Sequence, residues 1–259
     1  MWSFKSYRRN RILEKEPIDG GLWEDVVRRF AFLRALDGGE RERLRRWAVL
    51  FLHEKKLLAA GGLELDDRMR LSIAAQACLL ILELDLDFYG GWTEVIVYPD
   101  EFVPEIEYTD EAGVVHAIRE PASGESWQGG PVVLSWADVA WPCDGDGYNV
   151  VIHEFAHKLD MLTGDADGCP PLHRGMSAKA WRDDFLTAYH DFCERVDSGE
   201  DTLIDPYACE SHSEFFAVMS EAFFELPAAV RDEYPAVYDQ LGAFYRQDPA
   251  ARARAGARR

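Results

Sequence analysis

Two imidazoles and a carboxylate stand together in the octet His153-Glu154-Phe155-Ala156-His157-Lys158-Leu159-Asp160. Residues four apart share one face of a helix, so His153 and His157 can present both rings to a single metal ion. Glu154 is turned about 100° from His153. That sets its carboxylate beside such an ion, where a general base for an attacking water belongs. The chemistry is metal-assisted hydrolysis, and it requires a third protein ligand. Asp160 is the nearest carboxylate, but on an unbroken helix it lies about 10 Å along the axis from His153. No Gly follows directly after His157 to swing it round. Asp160 therefore reads as a group that supports the ligands or packs the helix.

Downstream, residues 211–225 read as a second helix with Ser211 or Ser213 as its cap, and Glu214, Glu221 and Glu225 fall near one face. An exposed acidic stripe is the ordinary reading of that pattern. The phenylalanines at 215, 216, 223 and 224 support the other reading, a buried helix that offers one glutamate inward.

The elements that must position these groups follow from periodicity. Residues 22–36 and 40–60 repeat apolar side chains at helical spacing (Trp23, Val26, Val27, Phe30; then Leu44, Trp47, Leu50, Phe51), and Gly61-Gly62 ends the second run. With a helix over 66–84 they predict a helical amino-terminal layer. Residues 94–98 alternate as a strand, 110–113 form a turn and 114–119 return as its partner. Residues 132–136 are a third strand with Val132, Leu134 and Trp136 on one face. Apolar residues 148–152 lead into the octet, and further helices are expected over 177–197 and 228–245. The acidic loop at 164–171 lacks the ligand order of an EF-hand and reads as solvated.

Composition bounds the function. A net charge of −19 repels nucleic-acid phosphates over most of the surface. Apolar content of 47% with 12% aromatics is that of a globular enzyme, and no apolar run approaches a bilayer span. The basic start of the chain is followed by Glu14, Lys15 and Glu16 where a secretory leader would be apolar, so no signal peptide is read. Five cysteines without paired metal spacing suit reduced thiols in a cytoplasm. Cys209, two residues from Tyr207, reads as a packing thiol. Residues 1–16 form a basic segment, 17–245 a single domain (helical layer 17–90, catalytic part 91–245), and 246–259 a basic flexible tail.

Four motifs in chain order resemble the Mlc titration factor A family of zinc-dependent peptidases. They are Trp92-Thr93-Glu94-Val95-Ile96-Val97-Tyr98-Pro99, the segment from Ser123-Gly124-Glu125-Ser126-Trp127 to Trp136, the octet, and Pro206-Tyr207-Ala208 followed by Ser213-Glu214-Phe215-Phe216-Ala217-Val218 and Glu221. The family is in turn similar to the anthrax lethal factor catalytic domain, which shares a Tyr seven residues before a Glu-Phe-Phe-Ala segment. The resemblance implies an α+β fold with a thermolysin-like zinc peptidase core: a small β-sheet, the motif helix and the added amino-terminal helical layer. It implies Zn²⁺ held by His153, His157 and Glu214, with Glu154 as general base and Tyr207 stabilising the transition state. It also implies His116 as an additional ligand whose binding would cover the metal, and residues 132–136 as an edge strand beside the metal that pairs with a substrate backbone. The activity implied is peptidase, apparently aminopeptidase-like, on peptide or protein substrates. A different class is implied too: a regulatory protein that sequesters an Mlc-type repressor of glucose uptake, with hydrolysis secondary. Glu154→Gln separates the two, since it removes the base and leaves the metal.

Overall fold

The computed structural model describes residues 4–102, 106–109, 115–118, 122–141 and 145–256. Its amino-terminal part contains α1 (Phe4–Lys15), α2 (Gly20–Arg29), α3 (Ala31–Arg34), α4 (Gly38–Glu54) and α5 (Asp67–Leu80). The helical run expected over 22–36 divides at Phe30, whose extended backbone separates α2 from α3 while its ring is fully buried. Helix α4 begins at a capping box in which Asp37 accepts from Glu40 N–H and Glu40 accepts from Asp37 N–H. It ends at Glu54, and the chain then extends into β1 (Lys56–Ala59) instead of remaining helical to residue 60. Only Leu57 of this strand is buried, so its composition carried no alternation to read.

The remaining strands are β2 (Glu94–Tyr98), β3 (Ile106–Thr109), β4 (Val115–Ile118), β5 (Gly124–Ser126) and β6 (Val132–Ser135). Four of them form one sheet in the order β1-β2-β6-β5, parallel except for β5, while β3 and β4 form a separate antiparallel pair. Two expectations are corrected here. The partner of β4 is β3, not the strand at 94–98. Strand β6 is not an edge strand, because it pairs with β2 on one side and β5 on the other, and all four of its residues are buried. The outer places belong to β1 and β5. Trp136 leaves the strand and starts α6 (Trp136–Val139), since Ser135 accepts from Asp138 N–H as its cap. The turn expected at 110–113 lies outside the described residues.

Helices α7 (Val150–Asp160), α8 (Ala178–Asp197), α9 (His212–Glu225), α10 (Pro227–Glu233), α11 (Pro235–Tyr245) and α12 (Pro249–Gly256) complete the chain. The expected 228–245 helix is two helices, because Pro235 lacks the N–H that a continuous helix would need there. The tail expected to be flexible is docked through α12: Ala250 is buried, Arg252 Nε donates to Glu40 Oε1 at 2.8 Å, and Gln247 donates to Leu79 O at 2.8 Å. Among the described residues no helix is long and apolar enough to cross a membrane. The whole is a mixed α+β fold with a small four-stranded sheet.

Helix α7 is fixed to the amino-terminal layer by aromatic packing. The ring of Phe155 lies 5.7 Å from Phe51, 5.1 Å from Tyr89 and 5.7 Å from Trp92, centroid to centroid, and Phe51 and Phe155 are fully buried. Phe51→Ala is expected to remove about 3–5 kcal/mol from the unfolding free energy, read by urea denaturation in a single transition. A loss below about 1 kcal/mol would show that the helical layer does not share one core with α7.

Candidate metal centre

Asn149 starts α7 by accepting from Ile152 N–H at 2.9 Å, and Ser211 starts α9 by accepting from Glu214 N–H at 3.1 Å. These caps set the turns from which the candidate ligands project. His153 Nε2 lies 3.0 Å from Glu214 Oε2, His157 Nε2 lies 3.3 Å from the same oxygen, and the two Nε2 atoms are 3.1 Å apart. Three donors placed tetrahedrally about 2 Å from one ion would stand about 3.3 Å apart. The donor set therefore fits one small cation. Glu214 Oε2 is also buried without a hydrogen bond, as a ligand atom facing an ion would be. Among the described residues these three side chains are the one group of His, Cys, Asp or Glu that could hold a metal, with ligand atoms all within 4.8 Å.

Electrostatics support the same reading. Burial works against the charge on Glu214, but the His153 and His157 imidazoles outweigh it and hold the carboxyl well below its ordinary range. Burial likewise opposes a charge on His153, yet Glu214 and Glu221 together push its pKa well above that of a free imidazole. The pocket favours positive charge between carboxylates.

Glu154 is buried beside this centre, and its Oε2 has no hydrogen-bond partner. Strand β5 passes directly over it. A Cβ on Gly124 would lie 2.4 Å from Glu154 Oε1, so only glycine leaves room for the carboxylate. Ser126 fastens the strand to the helix by donating to Glu154 O at 2.8 Å, and Lys158 donates to Trp127 O and Gly130 O in the turn that follows. Tyr207 sits on a short 3₁₀ turn, Pro206–Cys209, capped by Asp205, with its ring 6.2 Å from that of His153 and half of the residue exposed. Burial, then the Glu214 and Glu154 carboxylates, push its phenol up to about 12, which keeps it a donor. Cys209 closes the same turn and packs against the core.

Asp160 is held away from the donors. Its Oδ2 accepts from Gly168 N–H at 2.8 Å and from Ser213 Oγ at 3.2 Å, and Ser213 Oγ in turn lies 3.0 Å from His157 Nδ1. The backbone of His116 lies in β4 opposite Tyr108. Its side chain lies outside the described part of the structure.

Sequence reasoning reached Glu214 through the resemblance and missed several other groups. The three glutamates of α9 are not an exposed stripe, because all three face inward. Glu214 faces both Nε2 atoms, Glu221 Oε1 lies 2.8 Å from His153 Nδ1, and Glu225 Oε1 accepts from Asn149 Nδ2 at 3.2 Å. Asn149 was not singled out within the run that enters α7, yet it caps the helix, its side chain reaches Gln76 of α5, and its N–H donates to Glu221. Nothing in local spacing could have placed Gly124 over Glu154.

This fold and donor set are those of a metallo-peptidase family. Residues 4–246 match the family described as glucose-regulated metallo-peptidase M90, and the chain belongs to it. Within that family it is similar to Mlc titration factor A of Salmonella arizonae, 41% identical over 238 residues that cover 90% of this chain and 93% of the relative. Mlc titration factor A of Salmonella paratyphi B is 40% identical over 240 residues, covering 91% and 89% of the two chains. That of Klebsiella pneumoniae subsp. pneumoniae is 39% identical over 234 residues, covering 90% and 88%.

Two outcomes follow from the geometry. Glu214→Ala should weaken metal binding by more than about tenfold, measured by elemental analysis after dialysis against a chelator, while Glu225→Gln keeps the ion. Burial raises the Asp160 carboxyl to about 6 from the ordinary 3.8. Between those values the folded state holds a proton that the unfolded state has released, so this group's contribution to stability falls as pH rises through the window. In metal-free protein, Asp160→Asn should gain stability relative to the parent between pH 4 and pH 7, by up to about 3 kcal/mol. A pH-independent difference in urea midpoints would contradict it.

Proposed function

We propose that this protein is a zinc-dependent peptidase with a thermolysin-like core. The observation that carries the reading is the convergence of His153 Nε2, His157 Nε2 and Glu214 Oε2 beside the buried, unpartnered carboxylate oxygen of Glu154. Two imidazole nitrogens and one carboxylate oxygen are a donor set suited to zinc in an open catalytic site. Zinc, when bound, would polarise the scissile carbonyl and make the attacking water more acidic. Glu154 takes the proton of that water and delivers it to the leaving amine. Tyr207 donates its phenolic proton toward the developing oxyanion, and its raised pKa keeps that proton in place. Strand β5, the outer strand beside Glu154, offers the main-chain groups that can align an extended peptide. We assign an aminopeptidase-like preference on family resemblance, and a cytoplasmic setting on the reduced thiols.

A second reading is favoured by the name of the relatives, Mlc titration factor A. In it, this chain binds an Mlc-type repressor, and hydrolysis is secondary.

Glu154→Gln should keep the metal and lose about 10²–10⁴ in hydrolysis of a peptide library. Tyr207→Phe should lose about 10²–10³ with metal retained. Capture of an Mlc-type repressor by the Glu154→Gln protein would establish the binding function independently of chemistry. A parent protein that holds zinc and cleaves nothing in the library would contradict the peptidase reading.

A further inference from the structure

Glu221 occupies a place behind the metal centre that no catalytic role uses. It is 2% exposed, its Oε1 lies 2.8 Å from His153 Nδ1, and its other oxygen accepts from the Asn149 backbone N–H. The two candidate histidines are supported differently. His157 Nδ1 meets the hydroxyl of Ser213, whose proton is given to Asp160 so that its oxygen accepts, whereas His153 Nδ1 meets a buried carboxylate directly. An ionised carboxylate only accepts hydrogen bonds. Facing Nδ1, it selects the tautomer that carries its proton there, which leaves the Nε2 lone pair turned toward Glu214 and His157.

We propose that Glu221 is a positioning residue that sets the metal affinity of this site by fixing the His153 tautomer. The inference rests on the reading of His153, His157 and Glu214 as metal ligands. Glu214 and Glu221 face the two ring nitrogens of His153, the first at Nε2 and the second at Nδ1. Asn149 holds the second of these in place through its backbone, and its own side chain is anchored on Gln76 and Glu225. The amino-terminal layer thus reaches the back of the metal site through one asparagine.

Glu221→Gln preserves shape and removes the charge. Its amide can also donate to His153 Nδ1, which stabilises the tautomer with a proton on Nε2, the form that cannot bind an ion. Zinc affinity measured by competition with a chromophoric chelator should fall about 10–100-fold. A merely structural Glu221 predicts an affinity within about threefold of the parent, and that result would overturn the proposal. A measurement on the parent protein stands apart from the variant's folding. In zinc-loaded protein, ¹H–¹⁵N spectra of the histidine rings should show a slowly exchanging proton on His153 Nδ1, and an unprotonated Nδ1 would also overturn it. A parent protein that binds no zinc would instead remove the metal reading on which the inference stands.

Discussion

The candidate site depends on one constraint: three potential donor atoms from two helices stand 3.0–3.3 Å apart. Sites of this kind tolerate displacements of about 0.5 Å. Helix α7 supplies two donors at helical spacing and α9 supplies the third, so the relative position of the two helices decides whether a site exists. The caps at Asn149 and Ser211 set the first turns. Phe155 packs α7 on the aromatic cluster of the amino-terminal layer, while Phe216 packs α9 beside Trp181 of α8, with centroids 6.0 Å apart. Polar links then join the two helices directly, Asn149 to Glu221 and Asp160 to Ser213.

Charge is the second consequence of the same constraint. Placing Glu154, Glu214 and Glu221 in one partly buried space costs desolvation energy that ordinary packing cannot return. The cations nearest by are occupied elsewhere, since Lys158 is spent on the carbonyls of Trp127 and Gly130. The shifts at His153 and Glu214 express the same demand, with imidazole driven toward its charged form and carboxylate held in its own. A divalent ion at the Nε2–Nε2–Oε2 triangle meets that demand with one charge centre.

The octet was legible because helical spacing alone puts His153 and His157 on one face and Asp160 out of reach. Glu214 was not separable by spacing from Glu221 and Glu225, which repeat on the same face. Resemblance singled it out, and the structure shows that the other two face inward as well, with different partners. The helices at 177–197 and 211–225 emerge nearly as periodicity suggests. Strand β1 was hidden because a four-residue strand with one buried side chain has no readable period, and β6 was mistaken for an edge because pairing partners are non-local. The basic tail lacks apolar bulk, yet α12 docks by burying Ala250 and by the Arg252–Glu40 pair, a contact more than two hundred residues apart that composition cannot announce.

The most direct test of the central claim is anomalous diffraction at the zinc edge from crystals of the protein purified without added metal. One peak is expected, about 2 Å from each of His153 Nε2, His157 Nε2 and Glu214 Oε2. A peak bonded to other residues, or none at this triangle in protein loaded with zinc, would contradict the account.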